Sequence, residues 1–229
     1  MIIQGYQKLT ALDFPGKLAC TVFTPGCNFR CPFCHNASLV RGSQEPPISE
    51  DEVFAHLNKR VGMLDGVCLT GGEPLLQKGL DVFLQKVKQL GYLVKLDTNG
   101  SLPEQLKQLI ENGLVDYVAM DLKNCREKYP LTCGVENLSL DSIEQSIELL
   151  MQGKVDYEFR TTVVNELHTV EDIASAGEWI RGAKQWFLQC YKDSGDVLGS
   201  GLTAPSKETL QQMLEIAAPF VQRAELRGV

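Results

Sequence analysis

The segment Cys27-Asn28-Phe29-Arg30-Cys31-Pro32-Phe33-Cys34 places three cysteines within eight residues. It follows an apolar run, Leu18-Ala19-Cys20-Thr21-Val22-Phe23, and the turn residues Pro25-Gly26. The thiols therefore fall where a buried strand gives way to a loop. Three thiolates in one loop can wrap an iron–sulfur cube, because each soft sulfur binds a separate iron. Three cysteines leave the cube's fourth iron without a protein ligand, and such an iron can chelate a substrate. A zinc site of Cys27, Cys31, Cys34 and His35 is the alternative. His35 directly follows Cys34, however, and zinc sites favour paired knuckles over a single triplet. The other cysteines, Cys20, Cys68, Cys125, Cys133 and Cys190, are scattered, unlike those of a disulfide scaffold.

Outward from the triplet, apolar runs alternate with helical patterns. Further buried strands are expected at Gly66-Val67-Cys68-Leu69-Thr70, Leu93-Val94-Lys95-Leu96, Val115 to Met120, Val155 to Val164 and Gln185 to Cys190; their continuous apolar character suits cover on both faces. Ser49 with Glu52 forms a capping-box pattern for a helix running toward Arg60. Lys78 to Leu90 carries Leu80, Phe83, Leu84 and Val87 on one face, with Gly91 placed to end it. Pro103 opens a helix that Gly113 closes. Ser142 to Gln152 and Asp172 to Arg181 repeat the theme, and Ser206 starts a last helix that Pro219 kinks or ends. About six strand–helix units result. Right-handed crossovers between parallel strands then give an α/β fold, either a partial (β/α)6 TIM-like barrel or an open flavodoxin-like sheet. On either, ligand-binding residues gather where strands end.

The chain has 229 residues, 44% hydrophobic and 22% charged, an ordinary globular mixture best read as one large domain. Its net charge of −7 makes nucleic-acid binding a poor expectation, since acidic chains gain little from counterion release. No basic, apolar leader opens the sequence, and no apolar run approaches the ~18 residues of a spanning helix. A cytoplasmic protein without a membrane partner is the expectation.

The CxxxCxxC spacing, with aromatic Phe33 before the last cysteine, resembles the radical S-adenosylmethionine (SAM) superfamily. Cys31-Pro32-Phe33-Cys34-His35-Asn36 resembles the activating enzymes of glycyl radical enzymes. Leu12-Asp13-Phe14-Pro15-Gly16-Lys17 is similar, more narrowly, to anaerobic ribonucleoside-triphosphate reductase activating proteins. The resemblance runs from Gly5 to Arg227-Gly228-Val229 and is closest over residues 12–36. It implies a single radical SAM domain over residues 1–229, with a barrel core at about 17–205 and a C-terminal helix at about 206–224. It also implies a 4Fe–4S cluster held by Cys27, Cys31 and Cys34, reductive cleavage of SAM to a 5′-deoxyadenosyl radical, and a glycyl radical enzyme as protein partner. A flavodoxin- or ferredoxin-type electron donor and a monovalent cation accompany it.

The strand ends carry the other motifs. Gly71-Gly72-Glu73-Pro74 is on its own a strand-to-helix turn; beside the triplet it resembles the GGEP motif that holds the SAM amino group. Asp97-Thr98-Asn99-Gly100 is on its own an Asx turn, and the resemblance sets Asp97 and Thr98 beside the SAM carboxylate and the cation. Alternation sends Asp121 and Lys123 to the same side, as a surface ion pair or as the family's DxK motif near SAM. Arg160 needs a partner inside its apolar strand: Glu158, or, by resemblance, SAM. No catalytic group beyond the cluster ligands is implied. Cys125 and Cys133 read as free thiols, and Cys20, Cys68 and Cys190 as core. A radical SAM enzyme acting on a small molecule or another peptide, and a non-enzymatic metal-binding module, are the competing readings.

Overall fold

The computed structural model describes residues 1–42 and 45–228; Val229, at the end of the resemblance, lies outside them. The chain forms two compact units. The first comprises Met1–Asn28, Ser38–Ala119 and Lys154–Asp156, and the second Phe29–Ala37, Met120–Gly153 and Tyr157–Val229.

In the first unit, β1 (Gly5–Thr10) pairs antiparallel with β2 (Ala19–Thr24). β2 then runs parallel to β3 (Gly66–Gly71), and β3 to β4 (Leu93–Thr98). Three of these strands are the apolar runs expected above. Thr21, Cys68 and Lys95 lie in register, and the buried Lys95 is paired with Asp97 two residues on, which keeps its ammonium compensated. Phe14, Ala19, Cys68 and Tyr117 pack as one apolar cluster with Leu93 against it. Helices α2 (Glu50–Lys59), α3 (Leu80–Gln89) and α4 (Pro103–Glu111) belong here, as does α1 (Ala37–Arg41) from its second residue on. Ser49 Oγ accepts from Glu52 N at 3.1 Å and caps α2 as expected.

β5 (Tyr117–Asp121) starts in the first unit, where Asp116 N bonds Val94 O beside it at 2.9 Å, and ends in the second. There Leu122 N bonds Arg160 O of β6 (Asp156–Val163) at 2.8 Å. β6 runs parallel to β7 (Gln185–Cys190), and β7 to β8 (Arg223–Arg227). Trp186 of β7 is fully buried, its indole N–H bonded to Thr161 Oγ1 at 2.9 Å. Helices α5 (Tyr129–Cys133), α6 (Asp141–Met151), α7 (Val170–Trp179) and α8 (Lys207–Ala217) complete this unit.

Strand neighbours follow chain order from β1 through β8. Sequential parallel strands are the order of a (β/α) barrel and not of a flavodoxin-like sheet, in which the first two strands exchange places. The α/β expectation therefore holds, with β1 and β8 added beyond the six expected strands. The last helix is shorter than the 206–224 expected: α8 stops at Ala217, Pro219 sits in a 3-10 turn over Ala218–Phe220, and β8 follows. No helix among the described residues is long and apolar enough to cross a membrane.

Candidate active site

The motifs stand at the ends of β2, β3, β4 and β5. In the first unit, Cys27 is held from two sides. Gly72 N donates to Thr24 O at 2.9 Å and Glu73 N to Gly26 O at 2.8 Å, which ties the Gly71-Gly72-Glu73 turn to the chain entering the cysteine loop. A Cβ at Gly72 would fall 1.9 Å from Gly26 O, and Gly71 combines a φ of 114° with a Cβ position 2.4 Å from Thr24 O, so neither tolerates a side chain. The glycines thus admit the cysteine loop's own backbone. Pro74 opens a single 3-10 turn rather than a longer helix.

Glu73 is fully buried, and its carboxylate is a hub. Oε1 accepts from Leu75 N at 3.1 Å and Thr98 Oγ1 at 2.9 Å, while Oε2 accepts from Asn99 N at 2.7 Å. Asn99 Nδ2 in turn donates to Asn28 Oδ1 at 2.9 Å and to Cys27 Sγ at 3.8 Å. The ends of β3 and β4 are thereby locked to Cys27. Asp97 pairs with Lys95. Asn99 was not singled out in the sequence. The Asx turn explained it adequately, and the turn is present: Ser101 N donates to Asn99 Oδ1 at 2.9 Å.

In the second unit, Cys31 is nearly buried, Cys34 is half-buried, and both are free thiols. A side-chain hydrogen bond from Cys133 draws the Cys31 thiol down to about 7 against the opposing effect of burial. Burial pushes Cys34 up, and burial also holds His35 below its ordinary value. Asp121 Oδ2 accepts from Lys123 Nζ at 2.9 Å, and Oδ1 accepts from Arg160 Nε at 3.1 Å and Nη2 at 3.0 Å. Burial alone would raise the Asp121 carboxyl, but the two cations hold it down at about 2. Burial would likewise lower Lys123, and Asp121 holds its ammonium well above the usual range. Two cations thus converge on one carboxylate at the end of β5.

Asp121 thus answers Arg160. Glu158, its expected structural partner, makes a bidentate pair with Arg227 of β8, at 2.7 and 2.8 Å. β8 was unforeseen, and so was this pair. Lys123 Nζ lies 5.8 Å from the centre of the Phe33 ring, over its face. His168, which the sequence reading passed over, joins the same parts: Nδ1 accepts from Val164 N at 3.1 Å and Nε2 donates to Lys123 O at 2.8 Å, while its ring meets Phe33 edge-on at 6.5 Å. Burial keeps this imidazole neutral. Cys125 Sγ donates to Asp172 Oδ1 at 3.5 Å. Cys20 and Cys68 are core thiols, whereas Cys190 is only half-buried.

Among the described residues, no group of three or more His, Cys, Asp or Glu side chains is arranged to hold one metal ion. A cube makes a different demand, one sulfur to each of several irons. Thiols outside any disulfide and an amide N–H on Cys27 Sγ suit that demand, since cluster sulfurs accept such bonds.

The radical SAM superfamily profile matches residues 21–180, and the chain belongs to that superfamily. Its members are enzymes that use a 4Fe–4S cluster and SAM. A Methanocaldococcus jannaschii protein described as a "putative glycyl-radical enzyme activating enzyme" is 30% identical over 234 aligned positions, covering 100% of this chain and 96% of its own. A 7-carboxy-7-deazaguanine synthase of Koribacter versatilis is 30% identical over 154 positions, covering 66% of this chain and 63% of its own. The crystal structure of a domain of pyruvate-formate lyase-activating enzyme from Bacteroides vulgatus superposes with a TM-score of 0.58 at 23% identity. It covers 71% of this chain and 99% of that one, a likeness of fold.

Proposed function

We propose that this chain is an activating enzyme that generates a glycyl radical on a partner protein, with Cys27, Cys31 and Cys34 as the ligands of its cluster and both units acting as one radical SAM domain. The observation that carries the reading is the end-to-end match to the M. jannaschii protein, which leaves no part of this chain unaccounted for. When bound, the cluster and SAM supply a one-electron cleavage whose product, a 5′-deoxyadenosyl radical, abstracts a hydrogen atom.

The chain's own residues hold and orient. Glu73 fixes Thr98 and Asn99, and Asn99 fixes Cys27. Lys123 and Arg160 suit the SAM carboxylate, which a guanidinium and an ammonium can bind with charge-assisted hydrogen bonds. Phe33, Gly71, Gly72, Glu73, Pro74, Asp97, Thr98 and Asp121 complete the proposed SAM site. The proposed partner is an anaerobic ribonucleoside-triphosphate reductase, on the resemblance of residues 12–36. The proposed reductant is a flavodoxin- or ferredoxin-type protein, and a monovalent cation is proposed beside Asp97.

The test is to reconstitute the protein anaerobically, add SAM and reductant, and mix it with an anaerobic ribonucleotide reductase. A glycyl radical doublet in the EPR spectrum is expected; SAM cleavage without any protein radical contradicts the partner assignment. The match to the deazaguanine synthase favours a second reading, a small-molecule substrate, but it covers less of both chains. SAM cleavage accelerated by a purine-like substrate, with no radical on a protein, is the result that reading requires.

A further inference from the structure

Within the second unit, three successive residues after β5 are stitched to β6 and the turn that follows it. Leu122 O accepts from Thr161 Oγ1 at 2.7 Å, and Asn124 Nδ2 donates to Leu167 O at 2.9 Å. Between them lies Lys123, already beyond the strand, whose carbonyl accepts from His168 Nε2 at 2.8 Å. His168 is 4% exposed, and its turn is closed by backbone alone: Leu167 N and His168 N both donate to Val164 O, at 3.1 and 3.0 Å. Nδ1 accepts from Val164 N at 3.1 Å; Val164 O, 3.3 Å from Nδ1, is already served by those two N–H groups. A backbone N–H only donates and a carbonyl only accepts, so the neighbours select the neutral tautomer with the proton on Nε2. The same ring meets Phe33 edge-on, and the Lys123 ammonium lies over Phe33. One imidazole thus touches both the root of Lys123 and the ring against which its tip rests.

We infer that His168 is a positioning residue for SAM binding: its Nε2–H fixes the Lys123 backbone and its ring backs Phe33, so that the Lys123 ammonium is presented in one place to the SAM carboxylate. The inference rests on the SAM site proposed above. A lysine carries its charge on a flexible stem, so the ammonium is placed only when both ends of the side chain are held. Asp121 holds the tip, at 2.9 Å from Nζ, and His168 holds the root. Burial keeps water from competing for the imidazole's bonds, and this strengthens them.

The experiment separates the two ring nitrogens. In His168→Gln the amide nitrogen reaches the place of Nε2 and keeps the donor for Lys123 O; in His168→Asn the amide oxygen takes the place of Nδ1 and keeps the Val164 bond. SAM affinity is measured by equilibrium dialysis on the reconstituted proteins, and stability by denaturant unfolding, with Lys123→Ala alongside. His168→Gln is expected to bind SAM within about twofold of wild type and His168→Asn about fivefold more weakly, the scale of one net hydrogen bond. In unfolding the order is expected to reverse, with His168→Asn the closer to wild type, a ranking that a merely structural histidine would not give. Wild-type affinity in His168→Asn, or equal weakening in both variants, overturns the inference; if Lys123→Ala still binds weakly, the proposed SAM site stands. Wild-type affinity in His168→Asn and Lys123→Ala together overturns both. Should the variants fail to fold, NMR of the 15N-histidine-labelled wild type decides, since the chain has only three histidines. A slowly exchanging ring with Nε2 protonated and Nδ1 bare is expected, and the opposite tautomer overturns the inference.

Discussion

At the scale of single residues, the account depends on groups that look interchangeable in sequence and are not. Glu73 serves three donors from inside the protein, so Glu73→Gln replaces an acceptor oxygen with an NH2 group that faces a donor. A loss of about 1–3 kcal/mol in stability, read from denaturant unfolding, is expected; unchanged stability would show that the hub is not formed. Gly72→Ala must move the backbone at Gly26, and it is expected to lower both stability and the iron bound after reconstitution. Lys123→Ala is expected to weaken SAM binding at least tenfold by equilibrium dialysis, and equal affinity would reduce the Asp121–Lys123 pair to a structural one. The triplet, the glycines and the same-side placement of Asp121 and Lys123 were all legible, because each follows from local spacing. The partners of Arg160 and Glu158 were not. Alternation makes residues 158 and 160 neighbours on one face, but Asp121 and Arg227 reach that face from other strands, and strand pairing is a long-range property.

At the scale of elements, the buried strands were legible nearly to the residue, since a strand covered on both faces must be apolar throughout. β1 and β8 were missed for the opposite reason. β1 exposes three of its six residues, and β8 is Arg-Ala-Glu-Leu-Arg, a polar run at one end of the strand order that gives no apolar signal. α5 was missed because five residues with a proline carry little helical periodicity. The start of α7 can be tested directly. Thr169 and Asp172 form a reciprocal capping box, with Asp172 also paired to Lys128 at 2.6 Å. Thr169→Ala is expected to cost about 1 kcal/mol. Burial opposes ionisation of Asp172, yet the Lys128 and Thr169 N–H bonds hold its carboxyl below the ordinary 3.8. A depressed pKa gives stability that is fully present above the unfolded value and is lost as pH falls through the folded one. Wild type is therefore expected to lose its advantage over Asp172→Asn in unfolding experiments as pH drops below about 4. A constant difference across that range would refute the assignment.

At the scale of the whole molecule, strand neighbours follow chain order, and the chain belongs to a superfamily of enzymes that use a 4Fe–4S cluster and SAM. The assignment of the motif-bearing strand ends to that chemistry is the proposal made above. Spacing alone could not choose between zinc and an iron–sulfur cube; the superfamily match does. Substitution of Cys27, Cys31 or Cys34 by Ala is expected to abolish reductive SAM cleavage while leaving the circular dichroism spectrum close to that of the wild type. Normal turnover in any of the three would remove that thiol from the ligand set. The most direct measurement is the EPR spectrum of the anaerobically reconstituted, reduced protein before and after addition of SAM, with iron determined on the same sample. About four irons per chain and a signal that changes on adding SAM are the predicted result. Bound zinc, or a cluster signal indifferent to SAM, would contradict it.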